Sequence, residues 1–153
     1  MKKTRTKIIE NRKARYNFEI VEKVEAGIVL NGHEIKSIRE GGVALDNAYA
    51  REKDGEIWIF NLYIDLKNYK NNPQDIDNTR PKKLLLKKKE IKKISLKAKN
   101  NGFTLIPINI HFNGQGFAKI ELGISKGRKK SDLREYKKQQ DWKREKERLA
   151  KKT

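Results

Sequence analysis

Residues 17–30, "NFEIVEKVEAGIVL", alternate between apolar and polar positions. Phe18, Ile20, Val24, Ala26, Ile28 and Leu30 share one face, interrupted by Glu22, while Glu19, Lys23, Glu25 and Gly27 share the other. A period of two predicts a long, half-buried strand. "NG" at 31–32 marks a turn, and "HEIKSIRE" (33–40) reads as a short helix with Ile35 and Ile38 inward, closed by "GG" at 41–42. "VALDNAYARE" and "EIWIFNLYI" predict two further strands, joined by a hairpin at Asp54-Gly55. Residues 65–80, rich in Asn and Asp, read as a long polar loop. From Pro81 the pattern predicts a helix to about Lys99, with Leu84, Ile91, Ile94 and Ala98 on one side. Two alternating strands follow around the turn "NGQG": Ile106, Ile108, Ile110 and Phe112 in the first, Ala118, Ile120, Leu122 and Ile124 in the second.

About six antiparallel strands and two to three helices make the chain mainly β with short helices. Strand edges must be paired or closed, which favours a small barrel over an open sheet. An oligonucleotide-binding-type antiparallel β-barrel fits this count, and a sandwich fits the pattern equally well. At 153 residues the chain accommodates one such domain with tails. We divide it into a basic N-terminal arm (1–16), the barrel (17–126) and a basic C-terminal tail (127–153).

Charge changes the picture more than any single motif. The net charge is +18, and it is segregated. Residues 1–16 contribute +6, residues 80–99 +9 and residues 126–153 +8, which leaves −5 for the remainder. Three basic segments on a mildly acidic body suit a polyanion with a defined footprint. No segment joins its lysines to a broad apolar face, so nucleic acid is favoured over a membrane surface. There are no cysteines, no apolar run of membrane-spanning length, and no secretory h-region in "MKKTRTKIIENRKAR". The expectation is a cytoplasmic protein.

Catalytic chemistry is not visible. His33 and His111 stand 78 residues apart, and neither carries a metal-ligand motif; both read as surface histidines. Ser37, Ser95, Ser125 and Ser131 form no nucleophile elbow, and no phosphate-binding glycine loop occurs. No metal, no cofactor and no enzymatic activity are expected.

Taken in order, "NRKARYNF", "EAGIVLNGHEIKSIR", "DNTRPKKLLL" and "GISKGRKKSDLRE" resemble the small protein B family, the SsrA-binding proteins, from about Asn11 to Leu149. The resemblance implies an oligonucleotide-binding-type barrel that binds the tRNA-like domain of transfer-messenger RNA. It also implies a tail that enters the vacant messenger channel of stalled ribosomes during trans-translation. The partners implied are that RNA and the small-subunit decoding region with its ribosomal RNA, met by a monomer.

Several residues carry these expectations. Glu25 lies on the polar face of the first strand. A carboxylate is repelled by phosphate, so on an RNA-binding face its role is to accept from base N–H groups. The resemblance makes Glu25 and Leu85 RNA contacts. Lys87 stands where the family frequently has Asn, and a phosphate contact is its expected substitute. Asn11, Arg12, Lys13 and Arg15, with Lys36 and Arg39, are expected to neutralise the RNA backbone beside Glu25. By resemblance, Lys126, Gly127, Arg128, Lys129, Asp132 and Arg134 reach the decoding region, whereas Ser131 replaces an aromatic or His common in the family. Further along, Trp142 and Leu149 are seven apart and share a side, flanked by Lys143 and Arg144. The tail has helix-forming composition, but pairs such as Glu147–Lys151 and Asp141–Arg144 contribute only a few tenths of a kcal/mol each. We therefore expect it to be disordered when free and helical on the ribosome. The competing reading is a structural ribosomal protein, or a general RNA-binding protein, with basic extensions.

Overall fold

Six strands close into a ring in the computed structural model, which describes residues 8–67, 77–127 and 130–151, with the backbone alone at 100, 101, 130–133, 135 and 136. The strands are β1 (Ile9–Glu10), β2 (Phe18–Ile28), β3 (Val43–Ala44), β4 (Tyr49–Lys53), β5 (Glu56–Phe60), β6 (Tyr63–Ile64), β7 (Lys82–Leu85), β8 (Thr104–Phe112) and β9 (Ala118–Gly127). The helices are α1 (Ala14–Asn17), α2 (Gly32–Arg39), α3 (Lys88–Asn101) and α4 (Lys130–Ala150). The ring runs β8-β4-β5-β7-β2-β9 and returns to β8, every pairing antiparallel; β1 adds to β8, and β3 pairs with β6. Closure removes the exposed edges, and a barrel this small is filled by side chains. Ile57, Ile59, Leu84, Ile110, Ile120, Leu122 and Ile124 fill it, with Ile38 of α2 and Ile94 of α3 in the same cluster. This is the expected mainly β barrel with short helices.

Several elements follow the local chemistry of the sequence. Asp54 and Gly55 both have positive φ, 54° and 79°, as a two-residue hairpin between β4 and β5 requires. Asn31 caps α2: its side chain accepts from the Glu34 N–H, and Glu34 accepts from the Asn31 N–H in return. The helix ends where Gly41 adopts φ 87° and the Gly42 N–H reaches back to the Ser37 carbonyl at 2.8 Å.

The stretch after Pro81 is a correction. Instead of one helix to Lys99, Lys82–Leu85 is a strand in the middle of the ring, and α3 starts at Lys88. Lys82 and Leu84 point inward and Lys83 and Leu85 outward, a strand alternation that three adjacent leucines conceal. Glu90 accepts from the Lys87 N–H (3.2 Å), which fixes where α3 begins. The two runs at 43–52 and 56–64 are likewise broken into β3, β4, β5 and β6, with Asn61 at φ 59° ending β5.

Lys82 is fully buried. Its ammonium lies 3.7 Å from Glu34, itself 1% exposed, and it donates to the Arg80 carbonyl at 2.6 Å. Arg80 closes the group with a 2.6 Å bond to Glu34. Burial lowers the Lys82 pKa against the raising influence of Glu34. This group ties α2 to β7.

Asn11 is the second correction. It is 5% exposed; its Nδ2 donates to the carbonyls of Leu45 (3.2 Å) and Pro107 (2.9 Å), and its N–H donates to Ile108 (2.8 Å). The amide pins the chain to β8 and offers no surface to a ligand. Residues 8–16 are therefore folded against the barrel.

Candidate nucleic-acid interface

Alternation along β2 sends Glu25 and Gly27 to the outer face, and the register with β7 sets Leu85 beside Gly27. A Cβ at Gly27 would lie 3.2 Å from that of Leu85, so the missing side chain is what lets leucine settle over the strand. Leu85 is 54% exposed. Glu25 is opposite Glu121 of β9, a like-charge pair that is unfavourable on its own. Each carboxylate has a partner. Lys23 lies 3.8 Å from Glu121, and His111 reaches across β9 from β8 to donate from Nε2 to Glu25 at 2.8 Å. The other ring nitrogen of His111 meets Asn109 at 2.8 Å. The Glu25 side chain is still 58% exposed.

Lys87 is exposed two residues beyond Leu85, and Lys88 and Lys89 are exposed in the first turn of α3. The positive end of a helix dipole is a poor place for three lysines and a good one for a phosphate. The charge of the 80–99 segment is less free than its count suggests. Arg80 and Lys82 meet Glu34, and Lys83 meets Glu56. Lys93 and Lys97 of α3 both bond Glu22, and these bonds hold its pKa below the ordinary 4.5. Glu22 therefore interrupts the apolar face of β2 because α3 supplies its counter-charges. Among the described residues, Lys87, Lys88, Lys89, Lys92 and Lys99 remain unpaired in that segment.

The other cations divide between two places. Lys36 and Arg39 are exposed on α2, and Arg39 packs over Phe112 (4.9 Å) and donates to the Gly116 carbonyl (3.3 Å) at the β8–β9 hairpin. Arg12, Lys13 and Arg15 are exposed too, but they precede β2, whose start is roughly 20 Å along the strand from Glu25. They are not beside Glu25 as expected. Instead they adjoin the tail: Phe18 pairs with Gly127 and Glu19 with Lys126, and α1 packs against α4. Arg12 and Tyr16 line a cleft of about 310 Å³ with Lys137, Gln140, Asp141 and Arg144.

In the tail, Lys126 is exposed and lies 5.0 Å from the Phe103 ring, and Gly127 ends β9. Arg128, Lys129 and the side chains of Ser131 and Asp132 lie outside the described residues. Arg134, Lys143 and Arg144 are exposed along α4, as are Trp142 (60%) and Leu149 (58%). Lys146 lies 5.4 Å from the Trp142 ring, and Arg148 pairs with Glu145 at 3.7 Å, a pair adjacent to those the spacing suggests.

Sequence reasoning missed the part that His111 plays. Its spacing to Glu25 is 86 residues and its own alternation reads only as outward. The signal was the outward Asn-x-His of β8 beside a strand carrying a carboxylate. Among the described residues no group of His, Asp or Glu is placed to hold a metal ion, and no described helix is long and apolar enough to cross a membrane.

A closed small barrel with an outward carboxylate, a bare leucine and lysines around one helix start defines an oligonucleotide-binding architecture. Residues 8–152 match the family described as SmpB protein, and the chain belongs to that family. It is 48% identical over 142 residues to an SsrA-binding protein of Ehrlichia canis (strain Jake), covering 93% of this chain and 95% of the relative. It is 47% identical over 141 residues to an SsrA-binding protein of Gluconacetobacter diazotrophicus, covering 92% and 90%. A chain of the solved structure "tmRNA-SmpB: a journey to the center of the bacterial ribosome" superposes with a TM-score of 0.67 at 41% identity, covering 84% of this chain and 92% of the other.

Proposed function

We propose that this chain is a noncatalytic, cytoplasmic RNA-binding adaptor. It binds the tRNA-like domain of transfer-messenger RNA and delivers it to stalled ribosomes for trans-translation. The observation that carries this reading is the joint exposure of Glu25 and Leu85 on one barrel face, bordered by Lys87, Lys88 and Lys89. Glu25 accepts from base N–H groups, Leu85 covers an unstacked base, and the lysines hold the backbone in register. Lys36 and Arg39 extend the phosphate contacts along α2. Relatives named SsrA-binding proteins and a neighbour solved as tmRNA-SmpB on the bacterial ribosome support the choice of RNA and of destination.

The second half of the proposal concerns α4 with Arg12, Lys13 and Arg15 at its base. Its described cations and the Trp142–Leu149 side are exposed, so packing against the single turn of α1 and local pairs are what sustain the helix in the absence of a partner. Ordering is completed by the phosphates that line the empty messenger channel, and the helix thereby reports vacancy. The test separates the two halves. Glu25→Ala and Leu85→Ala should each weaken binding of a tRNA-like-domain transcript, by about tenfold and about fivefold. Removal of residues 131–153 should preserve that affinity and abolish tagging on stalled ribosomes. Unchanged affinity in both point variants would refute the assigned face, and tagging by the truncated chain would refute the role of α4.

A further inference from the structure

The Glu25 carboxylate is not simply left in water. His111 projects from β8, passes over β9 and donates from Nε2 to Glu25 Oε1 at 2.8 Å. The imidazole side chain is only 21% exposed, against 58% for Glu25. Its other nitrogen is held at 2.8 Å by Asn109, two residues earlier on the same outward face. Both ring nitrogens are thus engaged, and the ring has one orientation. Among the described residues, Glu25 Oε2 makes no hydrogen bond. The charged groups around the ring are Glu25 and Lys23 of β2 and Glu121 and Lys119 of β9; Lys119 pairs with His111 in register, and Lys23 is occupied with Glu121.

We propose that His111 is a positioning residue of the RNA-binding face: it fixes one oxygen of Glu25 so that the other is presented, already oriented, to an N–H donor on an unpaired base. This rests on the reading of Glu25 as an RNA contact and adds the residue that makes the contact effective. A free glutamate on a strand samples several rotamers and is pushed by Glu121 opposite. Bonded to His111, it forgoes that freedom before RNA arrives, so less ordering opposes binding. The ring serves in either charge state. An imidazolium donates to both neighbours, and a neutral ring with its proton on Nε2 keeps the Glu25 bond while the Asn109 amide turns to donate.

The experiment is a double-mutant cycle in the full-length chain, with Kd measured for a tRNA-like-domain transcript and folding checked by thermal melting. His111→Phe, which keeps the bulk and loses the donor, should weaken binding about tenfold. His111→Gln places an amide N–H near the Nε2 position and should stay within about twofold of the parent. In a Glu25→Ala background, His111→Phe should add no more than about twofold. A merely structural histidine would give losses that multiply and would not be rescued by glutamine. If His111→Phe does not fold, His111→Asn replaces it, because its short amide meets Asn109 without reaching Glu25. Loss of affinity in Glu25→Ala with none in the His111 variant overturns this inference alone. No loss in Glu25→Ala overturns the underlying reading of the face instead. Independent, multiplying losses, or glutamine failing as phenylalanine does, overturn the positioning role.

Discussion

Replacing Glu34 by Gln isolates the buried ion group that ties α2 to β7. Glutamine keeps the side-chain oxygen that accepts from the Asn31 N–H at 2.9 Å, so the helix cap survives. What disappears is the negative charge facing Lys82, a side chain with no exposure, and Arg80, which is 42% exposed. Breaking one partner from a buried pair leaves an uncompensated charge and costs about 3–5 kcal/mol. The Arg80 carbonyl still accepts from Lys82 at 2.6 Å, and Arg80 can turn towards water. The lower end, about 3 kcal/mol, is therefore expected. For a chain of this size that lowers Tm by roughly 10 °C. Denaturant and thermal unfolding measure it. Adding Lys82→Met should recover stability to within about 1 kcal/mol of the parent, since an apolar replacement removes both charges.

The pH dependence gives a second signature. Lys82 already titrates below its ordinary 10.5, chiefly because of burial, and Glu34 is the largest influence raising it. Without Glu34 it falls further, so the native variant binds fewer protons than the unfolded chain over a wider window below 10.5. Stability rises with pH wherever the unfolded state binds more protons, so the deficit of Glu34→Gln should shrink as pH climbs through that window. A loss under about 1 kcal/mol, or a double variant no better than the single, would refute a buried, coupled pair.

Two further outcomes follow from neighbouring geometry. The Glu22 pKa is held down by Lys93 and then Lys97, so its stabilisation is full above the unfolded value near 4.5 and vanishes as pH falls through the lower folded one. Amide protection factors in α3, corrected for the intrinsic pH dependence of exchange, should fall across that acidic interval in the parent and stay flat in Glu22→Gln. A Cβ added at Gly42 would lie 2.4 Å from Ser37 Oγ, which already meets the Asp65 and Gly42 carbonyls at 2.6 and 3.2 Å. Gly42→Ala should cost about 1–3 kcal/mol in chemical denaturation, and Ser37→Ala in the same chain should return part of it.

The strands that were legible in the sequence were those with one wet and one dry face. β2 alternates from Glu22 onward and gave the exposure of Glu25 correctly, but register shifts between Ile20 and Glu22 and between Pro107 and Asn109 change the phase, so Leu105 rather than Ile106 or Ile108 joins Ile110 in the core. β7 was not legible. It lies between two strands in the ring, and four residues bearing Lys-Lys-Leu-Leu have no period that separates strand from helix. Asn11 was misplaced because a buried amide and an exposed one look alike in sequence; only the carbonyls of Leu45 and Pro107 distinguish them. The pairing of Glu22 with α3, and of Glu25 with His111, depends on contacts across 71 to 86 positions that local pattern does not encode.

The two outward surfaces are joined by a single uninterrupted strand. β2 pairs with Gly127 where it begins and with Leu85 near where it ends, so its length acts as a gauge between the Glu25–Leu85 end and the point where the tail departs. That gauge is not divided into whole pleats alone. The register shift between Ile20 and Glu22 already holds one extra residue, and from Glu22 on regular pairing with β9 resumes and keeps Glu25 outward. Lengthening the strand by two residues would move the Glu25–Leu85 end away by roughly 7 Å without turning either side chain.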